Sequence, residues 1–193
     1  MIMNKKKHSQ NSDVKHLSRY LYLKNNMCSC SKKTFDSKSF YLHASSVISK
    51  KGALIFVGHS ASGKTTISDI LNVKFQKVED DMVLLFEEKP GRWFLKDRVN
   101  KSTKQKLYPV FAIFRLLKAQ NISIEKINKL RLVKILIDAY FEVESQRVGI
   151  NKNNNIKAFK TINKFAKLHN GWDLKFSLKS DIINFVNKNL SSF

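Results

Sequence analysis

Cysteine, glycine, acidic residues and long apolar runs are all scarce in this chain of 193 residues. The two cysteines, Cys28 and Cys30, form a CxC pair that is too small for a zinc site of its own, and we interpret them as incidental thiols. No apolar run approaches the roughly 18 residues that a membrane-spanning helix needs. The Lys-rich N-terminus lacks the hydrophobic segment of a signal peptide, so we expect a soluble, cytoplasmic protein.

Acidic residues are outnumbered by basic ones, with 15 Asp and Glu against 36 Lys and Arg, which gives a net charge of +21. A surplus this large predicts attraction to anionic surfaces such as nucleic acid, acidic proteins or membrane head groups. The basic residues are spread over every segment, and no aromatic-plus-basic motif of a nucleic-acid module is present. We therefore expect a non-specific polyanion contact rather than a sequence-reading module.

One segment of this glycine-poor chain fits the pattern GxxxxGK[ST]. It starts where the apolar run of residues 53–57 stops, which is the context of a phosphate loop between a strand and a helix. We expect its backbone N–H groups to surround the phosphates of a nucleoside triphosphate, with Lys64 at the terminal phosphates and Thr65 on Mg²⁺. A glycine turn with an unrelated lysine is the alternative. The predicted nucleotide-binding residues are Gly58, His59, Ser60, Ala61, Ser62, Gly63, Lys64, Thr65 and Thr66.

The composition changes near residue 38. Residues 1–38 are charged and rich in Ser and Asn, which predicts a flexible basic arm, and residues 39–193 are predicted to form one P-loop domain. In the first half of that domain, apolar runs and turn residues predict a hairpin of strands 40–48 and 53–57, a helix from Thr65 to about Val73, and strands 75–78, 82–86 and 92–95, the last returning antiparallel after Lys89-Pro90-Gly91.

The second half alternates between the periods of helices and strands. Its predicted elements are a loop at 99–106, a strand at 110–114 with a helix through Leu116 and Leu117 as the alternative, a long helix from 124 to about 143, a breaker loop at 151–155, a helix at 156–168 ended by Asn170-Gly171, a strand at 172–178, and a last helix started by Ser180 or Asp181.

Two acidic residues, Asp80 and Asp81, follow one helix and one short strand after the loop. A right-handed crossover would return this chain segment beside strand 53–57 and bring the carboxylates to the phosphate side of the loop. Phosphoryl transfer needs a carboxylate near Mg²⁺ and a group that orients or deprotonates the attacking hydroxyl. We therefore predict that the pair supplies both, with a solvated turn at a strand end as the alternative.

Several motifs now stand in a recognisable order. His43 lies on a predicted strand before the loop, and Asp80-Asp81 follows the loop. Residues 108–116 contain a proline followed by a predicted apolar strand, and residues 172–176 form a predicted strand before the last helix. This order resembles the HPr kinase/phosphorylase-like group of the phosphoenolpyruvate carboxykinase superfamily, over about residues 40–190. The resemblance implies an α/β fold with a P-loop-containing mixed sheet, as in the C-terminal domain of HPr kinase, and C-terminal helices.

The resemblance also implies roles for individual residues. Lys64 would contact phosphates, Thr65 would bind Mg²⁺, and Asp80 and Asp81 would divide metal support and hydroxyl activation. His43 matches the histidine that this group places near the reacting phosphates, so the implied catalytic residues are Asp80, Asp81, Lys64 and His43. From the sequence alone, a single histidine on an apolar strand is also typical of a satisfied core residue.

The chain departs from true HPr kinases in lacking their signature loop and their N-terminal domain. We therefore expect phosphoryl transfer from ATP to a serine or another hydroxyl in a protein, peptide or metabolite other than HPr. A small-molecule kinase of the shikimate or nucleoside-monophosphate type is one alternative, although its lid arginines and glycine-rich lid are not evident. A non-catalytic, nucleotide-dependent polyanion-binding protein is another. A homo-oligomer is a further expectation.

Overall fold

The computed structural model describes residues 38–97, 106–147, 152–178 and 181–193, and within these ranges the side chains of 146–147 and 152–154 are left out. The predicted arm at 1–38 and the predicted loop at 99–106 lie outside these ranges except for one residue each. The strands are β1 (Ser39–Leu42), β2 (Ala44–Ser49), β3 (Gly52–Val57), β4 (Gln76–Glu79), β5 (Val83–Lys89), β6 (Arg92–Lys96), β7 (Leu107–Lys118), β8 (Ser123–Ile127) and β9 (Gly171–Phe176). The helices are α1 (Lys64–Leu71), α2 (Lys129–Arg147), α3 (Lys152–Leu168) and α4 (Ile182–Asn189).

The strands form a mixed sheet organised around β7, which is 12 residues long. Strands β3 and β9 flank β7 and run parallel to it. The first residues of β7 pair with β6 in the antiparallel sense, and β6 continues through β5 to β1. Over the described residues the protein thus has a mixed α/β fold with a nine-stranded sheet, in agreement with the predicted fold class at this level.

Helices cover both faces of the sheet, because the central strands are apolar on both sides. Along β3, alternate residues point to opposite clusters: Ile55 and Val57 belong to one core, whereas Leu54 and Phe56 belong to the other. The first core also contains buried residues of α2 and α3, and the second contains buried residues of α1 and α4. A strand that is buried on both faces can be a continuous apolar run, which is why residues 53–57 show no polar alternation.

The predicted hairpin at residues 40–57 is confirmed in its second half, where β2 and β3 pair from Ala44 with Val57 to Ser49 with Gly52. Its first strand is interrupted at His43, where β1 ends. Strand β1 pairs with β5, whereas β2 pairs with β3. The interruption matters for the site, because it takes His43 out of regular strand pairing. The β5–β6 hairpin around Pro90 and Gly91 is also confirmed.

The predicted return of the chain beside strand 53–57 is wrong in its detail. Strand β4 pairs with β2, so β2 lies between β4 and β3. Because β2 is antiparallel to both neighbours, β4 still runs in the same direction as β3. The carboxyl end of β4 therefore reaches the same edge of the sheet as the loop that follows β3.

The predicted long helix from residue 124 is also wrong at its start. Residues from Ser123 to Ile127 form strand β8, which pairs antiparallel with β9, and α2 begins only at Lys129. Asn128 ends the strand and caps the helix, since its side-chain Oδ1 accepts a hydrogen bond from the backbone N–H of Arg131. Isoleucines at 122, 124 and 127 fit either period, and pairing with β9 decides the outcome.

Two further predictions fail around α3. The predicted breaker loop at 151–155 is wrong, since α3 starts at Lys152. The helix forms there because burial of an apolar stripe that includes Ala158, Ile162 and Phe165 outweighs the weak helix propensity of asparagine.

Gly171 is the first residue of β9 rather than a helix cap. Its glycine requirement comes from packing: a Cβ atom there would lie 2.7 Å from Leu132 Cδ1 and 3.1 Å from Ile127 Cδ1. Asp181 caps α4 as predicted, since its side chain accepts from the N–H of Asn184.

We expect Gly171→Ala to destabilise the protein by about 1–3 kcal/mol, the usual cost of overpacking a core. Chemical denaturation measures the free energy of unfolding. Adding Leu132→Ala removes the Cδ1 atom that the new methyl group would approach most closely, so the double variant should lose less stability than the sum of the two single variants. Strictly additive destabilisation in the double variant would contradict this packing explanation.

Candidate functional site

The segment after β3 forms a tight loop whose backbone needs glycine at two points. At Gly58 a Cβ atom would lie 2.6 Å from the Ser62 hydroxyl, and Gly63 has a φ of 97°. A turn is closed inside the loop by a hydrogen bond of 3.1 Å from the Ser62 N–H to the His59 carbonyl. Ala61 also has a positive φ, of 61°. The glycines of the motif are therefore required by this local geometry.

Helix α1 starts directly at the end of the loop. Gly63 occupies its N-cap position and provides no capping side chain, so the first N–H groups of the helix are not satisfied by a side-chain cap. Such N–H groups, with the positive end of the helix dipole, favour an anion.

Lys64 is the first residue of α1, and its side chain folds back along the loop. Its Nζ atom donates to the carbonyl oxygens of Gly58 at 2.7 Å and His59 at 3.0 Å. Burial lowers the pKa of Lys64, and the nearby carboxylates of Glu142, Asp81 and Asp80 oppose that effect. The ammonium group is thus held against the first two residues of the loop, where it can reach an anion bound in it.

Thr65 and Asp80 are in direct contact. Thr65 Oγ1 donates to Asp80 Oδ1 at 3.0 Å, which joins the first turn of α1 to the residue that follows β4. The Asp80 side chain is only 3% exposed, and its other oxygen, Oδ2, lies 2.9 Å from Lys77 Nζ. Lys77 also pairs with Asp69 at 2.5 Å. Although burial disfavours the charged lysine, its hydrogen bonds to Asp69 and Asp80 raise the Lys77 pKa overall.

Asp81 has an unusual backbone conformation, with a φ of 66° in the left-handed region. Aspartate tolerates this region better than most residues, but a strained backbone there still needs support from its surroundings. Thr65 and Lys77 donate hydrogen bonds to the Asp80 carboxylate, and both Asp80 and Asp81 act electrostatically on Lys64 and His43.

His43 lies at the break between β1 and β2, and its backbone N–H donates to the Ala139 carbonyl of α2 at 2.9 Å. The ring Nδ1 lies 3.6 Å from Glu142 Oε2. The other oxygen of Glu142 lies 3.7 Å from Nδ1 of His59 in the loop. Burial lowers the pKa of His43, the Lys64 charge lowers it further, and the carboxylates of Glu142, Asp81 and Asp80 oppose both effects.

The remaining loop residues differ in their exposure. His59, Ser60, Ala61 and Thr66 are exposed, with 89% of the His59 side chain accessible. They lie on the outside of the site, although a bound nucleotide could still meet their backbone N–H groups. The Ser62 hydroxyl is buried and has no hydrogen-bond partner among the described residues.

Three residues of the site were missed by the sequence analysis. Ser45 on β2 donates from its hydroxyl to the Lys64 carbonyl at 2.7 Å and so fixes the start of α1 to the sheet. Lys77 joins Asp69 to Asp80, and Glu142 joins the two histidines. Only Lys77 gave a local signal, a lysine three residues before the acidic pair, because Ser45 and Glu142 are distant in sequence from the groups that they contact.

The donor set fits a magnesium nucleotide. Mg²⁺ binds one or two protein oxygens and takes its remaining ligands from phosphates and water. Thr65 Oγ1 and Asp80 Oδ1 would be those protein ligands, and the backbone of the loop would hold the phosphates. Across the described ranges, no group of three or more His, Cys, Asp and Glu side chains is placed to hold a metal ion.

None of the described helices is both long and apolar enough to cross a bilayer.

The sequence matches no family model and no curated protein. In three dimensions the chain is similar to the solved structure of the HPr(Ser) kinase/phosphatase from Coxiella burnetii. The match is distant. The TM-score is 0.41 and the identity is 9%, over 79% of this chain and 94% of the other. At this level of similarity, the chemistry of the site has to be inferred from its own residues.

Proposed function

We propose that this protein is an ATP-dependent phosphotransferase that moves a phosphoryl group to a serine or another hydroxyl of a protein, peptide or small molecule. The observation that carries the proposal is the 3.0 Å hydrogen bond between Thr65 and Asp80 beside the folded-back Lys64. An unrelated glycine turn would not need a buried carboxylate on the hydroxyl of its threonine. A loop that holds a magnesium nucleotide would need both the threonine hydroxyl and the carboxylate beside it.

The two carboxylates can be given different roles in this reaction. Asp80 is tied to Thr65 and Lys77, so we assign it to the metal side. Asp81 is assigned to the acceptor side, where it would orient the hydroxyl and take its proton as the oxygen attacks the terminal phosphorus and the bond to ADP breaks. Lys64 and the N–H groups of the loop would hold the phosphates. Bound Mg²⁺ would neutralise the charge that develops on the phosphate oxygens.

Transfer of the terminal phosphate of labelled ATP into lysate fractions tests the proposal and captures the acceptor at the same time. The reaction contains Mg²⁺, and the Asp81→Asn protein serves as the matched control. We expect a labelled product with the wild-type protein that is absent with the variant. Labelling of shikimate or of a nucleoside monophosphate would favour the alternative of a small-molecule kinase of that type. Equal labelling by both proteins, or none by either, would contradict the proposal.

A further inference from the structure

Glu142 is the one residue of α2 whose carboxylate is seen to reach two histidines of the site, among the described residues. One oxygen faces His43, at the break between β1 and β2, and the other faces His59, in the loop. The two rings differ in exposure, since 20% of the His43 side chain is accessible against 89% of His59. The Glu142 carboxylate therefore lies between a partly buried imidazole and an exposed one, and it also acts electrostatically on Lys64.

The position of Glu142 has a chemical consequence for His43. A carboxylate facing Nδ1 favours the proton on that atom and leaves Nε2, on the far side of the ring, to exchange a proton. If a second anion approaches the ring, the imidazolium is favoured, since an opposite charge within about 4–6 Å stabilises the charged form. The terminal phosphates of ATP would be that second anion.

We propose that Glu142 is a positioning residue that holds His43 ready to take up a proton as ATP binds, which turns the ring into a cationic ligand of the triphosphate. The inference rests on the proposed function only in requiring ATP binding; phosphoryl transfer is not needed for it. The proton comes from solvent and adds to Nε2. Binding of ATP then adds a cation to the site that the free protein does not carry.

The surroundings of His43 agree with this order of events. In the free protein, burial and the Lys64 charge lower its pKa, so the ring is mostly neutral at pH 7. Glu142, Asp81 and Asp80 act in the opposite direction, and of these three Glu142 has the largest effect. The bound phosphates would add to the carboxylates and raise the His43 pKa. The contribution to ATP affinity is therefore complete below the free-state pKa and is lost as pH rises through the pKa of the complex.

The experiment measures ATP binding by calorimetry in two buffers of different ionisation enthalpy, and repeats it between pH 6 and pH 8. Three variants accompany the wild-type protein: His43→Asn, Glu142→Gln and Asp138→Asn. Asp138 is the matched control, because it is an exposed carboxylate one turn before Glu142 on α2. ATP and buffer contribute equally to every sample, so differences between proteins report the side chains.

We expect the wild-type protein to take up a fraction of a proton near pH 7 that His43→Asn does not. Over the two pH units, its ATP affinity should fall by about tenfold more than that of His43→Asn, since one linked proton changes Kd by about tenfold per pH unit at most. In Glu142→Gln this excess should shrink to about threefold or less. Asp138→Asn should retain it.

The inference is overturned if Glu142→Gln and the wild-type protein show the same proton uptake and the same pH dependence, or if His43→Asn changes neither. It is also overturned, together with the nucleotide site itself, if the wild-type protein does not bind ATP. Failure of the proposed function would look different: ATP would bind with proton uptake, but no acceptor would be labelled.

Discussion

The Asp81→Asn protein should bind ATP nearly as well as the wild-type protein and transfer its phosphate about 10²–10⁴ times more slowly, which is the usual contribution of a positioned general base. The reason is that the two carboxylates are assigned different roles. Asp80 keeps its bonds to Thr65 and Lys77, so the phosphate side of the site stays intact. Single-turnover transfer and ATP binding, measured on the same preparation, separate the two effects.

The Asp80→Asn protein should fail in a different way. An asparagine can still accept from Thr65, but it loses the charge that supports Mg²⁺, so more Mg²⁺ should be needed for half-maximal activity. Loss of the salt bridge to Lys77 complicates this variant. Asp69→Asn controls for that loss, because Asp69 pairs with the same lysine at 2.5 Å but is itself 61% exposed. Unchanged transfer in both Asp80→Asn and Asp81→Asn would refute the kinase proposal.

The parts of the fold that were predictable depend on local signals. The strand, loop and helix from residue 53 to residue 71 are determined by one continuous stretch of sequence, with glycines at the two positions where the backbone needs them. The hairpin at Pro90 and Gly91 and the Asp181 cap are local in the same sense. In each case the residues that determine the structure lie within a few positions of one another, so one sequence is sufficient.

The parts that were not predictable depend on partners elsewhere in the chain. Ile124 and Ile127 lie in a strand only because β9 pairs with them, more than 40 residues later. Arg115 on β7 makes two hydrogen bonds of 2.7 Å to Asp173 on β9, and no local pattern links a scattered arginine to that aspartate. Sequence periodicity cannot rank such pairings, because the free energy that decides them comes from tertiary packing.

The candidate site divides in the same way. The loop and the acidic pair can both be recognised in the sequence, because each is a motif by itself. The route between them was wrong, since β2 separates β4 from β3, and yet Asp80 still meets Thr65 because the strands share a direction. Glu142 was missed because α2 is a long helix with several acidic residues, and only the fold indicates which of them faces the loop.

Replacing Lys64 with Ala should weaken ATP binding by about 100-fold, which corresponds to about 3 kcal/mol, or one to two charge-assisted hydrogen bonds to phosphate. The ammonium is placed for this role by its bonds to the carbonyls of Gly58 and His59, and its charge is a main attraction for an anion in the loop. Lys74→Ala is the matched control, because Lys74 is an exposed lysine shortly after the same helix and shares only its charge.

Folding of the Lys64 variants has to be separated from binding, since the side chain is nearly buried and holds the loop. Lys64→Gln retains a donor for the two carbonyls but has no charge, and thermal unfolding shows whether each variant is folded. We expect Lys64→Gln to fold and still lose most of the affinity. If folded Lys64→Ala and Lys64→Gln bound ATP as tightly as Lys74→Ala does, the loop would be a glycine turn with an unrelated lysine, and the hydrogen bond between Thr65 and Asp80 would need a purely structural explanation.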